Sequence, residues 1–207
     1  MTAHPVAALM IAAAVPLSAQ SAAPQLRPPL DSARERQALR KLTLCFAQTR
    51  PRWARTMLSY PYLSGDQASV AAQIVSGHDN CLGAPEVPVA FRTSSVVGFA
   101  AEHFVQAEMA RVDVRHLGSA LNTAAPKNVS EDFALCLAAR DPTASLGLAS
   151  SDPGSASETR AAGEVAAGVP YCSKPGEKFD VDVQALRALV ATALYRAVTA
   201  ASPGNNN

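Results

Sequence analysis

Little in this sequence advertises chemistry. It has no G-x-S-x-G, no glycine-rich phosphate loop, no H-E-x-x-H and no C-x-x-C. The local signatures of serine hydrolases, phosphate-loop proteins, zinc proteases and dithiol enzymes are therefore missing. Histidine is scarce: beyond His4 at the extreme N-terminus there are only His78, His103 and His116. That scarcity limits metal sites and nucleophile–base arrangements. Aromatic residues make up 5% of the chain, with one tryptophan, so few large rings are available to fill a core. No stretch reaches 18 apolar residues, which excludes a spanning helix in the mature chain. A formal net charge of +1 leaves no footprint for nucleic acid.

What is present begins at the N-terminus. Residues 6–17 (VAALMIAAAVPL) are an uncharged apolar run followed by small residues. This is the size of a signal-peptide core and too short to cross a bilayer. We read 1–19 as a signal peptide cut before Gln20, with cleavage after Ser21 as the rival; Pro24 disfavours a cut after Ala23. The preceding MTAHP carries no lysine or arginine, which weakens the signal. The mature protein is then periplasmic or secreted, with 20–30 as a proline-rich linker.

The four cysteines are Cys45, Cys81, Cys136 and Cys172. An even count in an exported chain reads as disulfides. Both spacings, Cys45 to Cys81 and Cys136 to Cys172, are 36 residues. Sliding the chain by 91 residues superposes Leu44-Cys45-Phe46-Ala47 on Leu135-Cys136-Leu137-Ala138, Pro51 on Pro142 and Gly77 on Gly168. There are 11 identities in 70 pairs; their weight lies in falling on cysteines, a proline and a glycine. We expect an all-α protein made by tandem duplication of a short three-helix unit. Copy one spans 31–109, a connector 110–127, copy two 128–201 and a disordered tail 202–207. Each copy carries one staple, Cys45 with Cys81 and Cys136 with Cys172; the rival pairing crosses between copies. Each staple would stabilise by about 4 kcal/mol in the chain-entropy model.

Local signals fill in the helices. Ser32-Ala33-Arg34-Glu35 is a capping box, opening a helix to about Thr49 that Pro51 stops. A short turn or helix follows over 52–59, then a Tyr-Pro-Tyr linker. Asp66 is a cap for the second helix, with Gly77 as its C′. Ser94 or Ser95 caps a third, whose face is Val96, Phe99, Ala100, His103 and Phe104. In copy two the caps are Asn128 or Ser130, Ser157, and Asp180 or Asp182, and Gly168 closes the middle helix. Residues 143–157 read as the loosest internal segment, and Val112 with Val114 suggest a short extended piece in the connector.

Four constellations could carry function or modification. Arg50, Arg52, Trp53 and Arg55, with Tyr60 and Tyr62 close behind, suit an anionic envelope component or an acidic protein partner. The bland alternative is a solvated turn with Trp53 tucked into the core. Glu102-His103 could serve as an acid/base pair, but neighbouring helix positions do not face each other. His78-Asp79-Asn80-Cys81 is better explained as a turn than as a metal cluster. Asn128-Val129-Ser130 is a glycosylation sequon only on paper.

The pattern Leu-Cys-(Phe/Leu)-Ala, a proline six residues after that cysteine, and a second cysteine followed by an amphipathic helix resembles small exported disulfide-containing proteins of unknown function from alphaproteobacteria. The resemblance covers residues 32–200 and brings no activity with it. Gly98-Phe99-Ala100-Ala101-Glu102 is similar to the glycine–alanine–glutamate helix of such proteins; Leu189 and Ala193 depart from it in copy two. The expected function is an exported, non-enzymatic envelope-associated or periplasmic binding or structural protein, with no cofactor. The alternative is a hydrolase-like periplasmic enzyme with its site around Glu102 and His103.

Overall fold

A computed structural model of the chain describes residues 32–76, 81, 91–109, 114–174 and 181–201. The signal-peptide and linker segments, Gly77 to Asn80 and the C-terminal tail lie outside the described residues. Among the described residues the protein is helical, with no strand. In order the helices are α1 (Ala33–Thr49), α2 (Pro51–Ser59), α3 (Gly65–Ser76), α4 (Thr93–Met109), α5 (Val114–Thr123), α6 (Val129–Arg140), α7 (Pro142–Ser150), α8 (Ala156–Ala166), the short α9 (Val169–Cys172) and α10 (Val183–Ala201).

Chain chemistry places most of these boundaries. Ser32 accepts from the Glu35 amide while Glu35 accepts from the Ser32 amide at 2.7 Å, so the expected capping box opens α1. Asn128 caps α6, and Asp182 accepts from the Ala185 amide at the start of α10. Pro51 and Pro142 do more than stop the helices before them. Each occupies the first turn of the next helix, where its missing N–H is no loss.

Several boundary expectations need correction. The cap of α3 is Ser64, which accepts from the Gln67 amide, rather than Asp66; Ser155 caps α8 in place of Ser157. Each hydroxyl sits three residues before the amide it receives, the normal reach of an N-cap. Ser94 and Ser95 lie inside the first turn of α4, and Ser95 is buried. Gly168 has φ −77°; it ends α8 by a right-handed turn into α9, with no left-handed C′. Residues 143–157 are not loose. Asp141 caps α7 and Ala144, Ser145, Leu148 and Ala149 are buried. Small side chains let this segment sit close to α8, and their low hydrophobicity hid it from the pattern. Val112 lies outside the described residues, but Val114 opens helix α5 where it was expected to extend; Leu117, Ala120 and Leu121 turn inward at helical spacing.

The centre of the molecule is the crossing of α4 and α10. Helix α10 also touches α5, α6, α7 and α8, and α1 lies along α4. The crossing is close because it is built from small residues. A Cβ added at Gly98 would stand 2.7 Å from the Ala188 Cα, so only glycine allows this approach. Buried apolar residues from 39 to 198 form one continuous core. Its alanine content leaves less area per residue than a leucine core would, which gives the cross-links more to do. Both disulfides take the expected pairing, Cys45–Cys81 and Cys136–Cys172, with Cα separations of 5.6 and 5.7 Å.

Candidate functional site

Two groups of polar residues stand out, one inside the protein and one on its surface. The interior group is centred on Arg187, the one charged residue in the apolar run from Ala185 to Tyr195 of α10. It is wholly buried. Its guanidinium grips Glu102 of α4 in a bidentate fork, Nε to Oε1 at 2.6 Å and Nη2 to Oε2 at 2.9 Å. Nη1 reaches Glu158 of α8 at 2.9 Å, and Nη2 donates to the Ser151 carbonyl at 2.7 Å. Phe99 lies under the guanidinium at 5.7 Å. From α1, Arg36 approaches Glu158 at 3.5 Å and Arg40 approaches Glu102 at 3.6 Å, while Arg40 also pairs with Asp152 at 2.9 Å. Glu158 also accepts from the Gly154 amide.

The arrangement satisfies buried charge with opposite buried charge. Burial pushes the Glu102 carboxyl upward, opposed by the hydrogen bonds and charge of Arg187. Burial would lower Arg187, but Glu102 and Glu158 outweigh it and hold the guanidinium charged. Both Glu102 oxygens are spent on arginines. The group therefore ties α1, α4, α8 and α10 together, and its buried carboxylates, Glu102 and Glu158, are not open to a substrate.

His103 does not join it. The imidazole is half-buried with its edge to Phe104 at 5.2 Å. Burial and the neighbouring Arg55 charge lower its pKa below the ordinary histidine value. Glu102 points into the ion cluster while His103 faces the α2 side, as adjacent helix positions must. Of the third-helix face read from sequence, His103 is the member that stays at the boundary. His78, Asp79 and Asn80 lie outside the described residues. No group of three or more histidine, cysteine or acidic side chains suited to a metal occurs among the described residues.

The surface group is the one read around Trp53. Helix α2 turns Ala54, Met57 and Leu58 into the core. That leaves Arg52, Trp53, Arg55 and Thr56 outside, and Arg50, which precedes the helix, is exposed as well. Trp53 is 49% exposed, so the tucked-in alternative is wrong: Met57 and Leu58 fill the inner face and leave the indole no place there. Arg55 lies over the Phe104 ring at 4.8 Å. Tyr60 is half-buried and Tyr62 is buried.

Residues invisible to the sequence reading close this region. Lys127 Nζ donates to the Ser59 carbonyl, and Arg196 donates to the Tyr60 carbonyl at 2.6 Å, so two cations meet the C-terminal end of α2. Glu131, in the first turn of α6, is buried and accepts from the Tyr62 amide, the Lys127 amide and Arg196. Asn128 caps α6 with Oδ1 and donates Nδ2 to the Tyr62 carbonyl, so its amide is committed to the fold and not open as a glycan acceptor. Compared with known proteins, the chain matches no protein family, no curated protein and no solved structure.

Proposed function

We propose that the protein is an exported, non-enzymatic binding or structural protein of the cell envelope or periplasm, and that it acts through the basic and aromatic face of α2 on an anionic envelope component. The observation that carries this is the division of its charged residues. Those inside neutralise one another, while Arg52 and Trp53 face solvent beside Arg55. The two disulfides fit an oxidising compartment, and among the described residues no helix is long and apolar enough to cross a membrane. The hydrolase-like alternative at Glu102 and His103 has less support, because Glu102 is buried against Arg187 and His103 points elsewhere. Recovery of envelope material by the wild type and by Trp53→Ala tests the reading. Loss of recovery with the substitution is expected, and equal recovery would overturn it.

We also propose that the chain arose by tandem duplication, with the halves at 31–109 and 128–201. Support comes from details 91 residues apart. Helices α2 and α7 start and end in register at Pro51 and Pro142, and at Ser59 and Ser150. The caps Ser64 and Ser155 are in register, as are the two positive-φ residues Leu63 (57°) and Gly154 (83°). Their amides donate to the side chains of Gln67 and Glu158, also in register. Between halves, Gln37 donates to the Pro153 carbonyl and Asn128 to the Tyr62 carbonyl. Those two contacts exchange under the same shift, as a two-fold relation requires.

A further inference from the structure

Four large hydrophobic side chains are exposed among the described residues: Trp53, Leu63, Val129 and Tyr171. Tyr171 stacks with Arg140 at 4.2 Å. The other three are linked through contacts that join α2, the turn after it and the start of α6. Leu63 follows Tyr62, whose amide and carbonyl are held by Glu131 and Asn128, and Val129 is the residue after Asn128. Trp53 lies on α2, within roughly 9 Å along the axis of Ser59 by helical rise, and Ser59 is tied to Lys127.

Leu63 is the unusual member. It is 51% exposed and adopts φ 57°, a left-handed conformation costly to a branched side chain. The position 91 residues later is Gly154, which adopts it freely. Exposure of an apolar side chain and backbone strain at one residue point to a contact made outside the folded chain.

Cations outnumber exposed acids around these three side chains. From 50 to 65 there are three arginines and no acidic residue, and Lys127 adds a fourth cation. Asp66 and Asp132, in the first turns of α3 and α6, do not balance them.

We propose that this region, the exposed side of α2 with Leu63 and Val129, docks on an anionic lipid surface. Trp53, Leu63 and Val129 enter the headgroup boundary, and Arg52, Arg55 and Lys127 meet lipid phosphates. The proposal rests on the binding function inferred above and names its partner. A tryptophan with flanking cations suits the headgroup layer. One nine-residue helix and a turn offer a lipid anchor; a specific protein interface needs about 800 Å² per partner.

The test is co-sedimentation of the oxidised mature chain with vesicles of phosphatidylcholine alone or mixed with phosphatidylglycerol. Binding is expected to the mixed vesicles and to fall with salt, each basic side chain contributing about fivefold. Trp53→Ala and Leu63→Gly should each weaken it about tenfold, from the apolar area withdrawn. Leu63→Gly should not lower the unfolding midpoint, because glycine relieves the strain; lost binding in an equally stable variant separates docking from folding. No binding to mixed vesicles, equal binding to both vesicles, or wild-type binding by Leu63→Gly would each overturn the lipid assignment. If vesicles fail while Trp53-dependent recovery from envelope extract persists in a protein fraction, the partner is a protein and the broader reading stands. If both fail, both readings fall.

Discussion

At the scale of single residues, the strongest constraint is the Glu102–Arg187 fork. A buried pair contributes little over a well-packed apolar pair, but removing one partner strands the other charge. Glu102→Ala should therefore lower unfolding free energy by about 3–5 kcal/mol in urea titration, and Glu102→Met with Arg187→Met should be less damaging than Glu102→Ala alone. The sequence shows Arg187 as the one charge between Ala185 and Tyr195, yet not what answers it. Its partners lie 85 and 29 residues away, and no local spacing encodes such meetings. His103 carries a pH dependence. Its folded pKa is depressed below 6.5 by burial and Arg55, so the unfolded chain takes up the proton first. That contribution to stability is complete above pH 6.5 and is lost as pH falls through the lower, folded value. Unfolding midpoints measured from pH 7.5 down to 5 should fall less steeply for His103→Leu than for the wild type.

At the scale of elements, the start of α1 was legible because Ser32 and Glu35 form a reciprocal capping box, and the start of α6 was narrowed to Asn128 or Ser130. Helix starts were misplaced where two candidates adjoin, as at Ser64 with Asp66 and Ser155 with Ser157. Helix α7 was hidden because Ala144, Ser145 and Ala149 bury without being conspicuously apolar. The surface face of α2 was legible as a cluster of residue types; its exposure was not, since that depended on Met57 and Leu58 filling the inner side. Packing between elements makes a sharp contrast among glycines. Gly98→Ala places a methyl group against the Ala188 backbone and should destabilise by about 1–3 kcal/mol, despite alanine's better helix propensity. Gly163→Ala meets nothing within 4 Å and should stabilise by about 0.5–1 kcal/mol. Thermal unfolding of the two variants side by side checks both signs.

At the scale of the whole molecule, the core is single and rich in alanine, so the two disulfides and the interior ion cluster carry an unusual share of its cohesion. Replacing Cys136 and Cys172 together by serine should lower stability by about 2–5 kcal/mol in denaturant titration. The cysteine spacing was the most informative pattern in the chain because it is preserved at a fixed offset and needs no side-chain detail. The ion cluster, by contrast, exists only once α1, α4, α8 and α10 have met.

We propose that charge inside this protein builds the fold and that charge with tryptophan outside it makes the contact. The most direct measurement is envelope binding by Glu102→Gln and Trp53→Ala, taken below the melting temperature of each. Glu102→Gln is expected to melt lower yet bind as the wild type does, while Trp53→Ala melts as the wild type does and fails to bind. A folded Glu102→Gln that loses binding, or a Trp53→Ala that retains it, would contradict this division of roles.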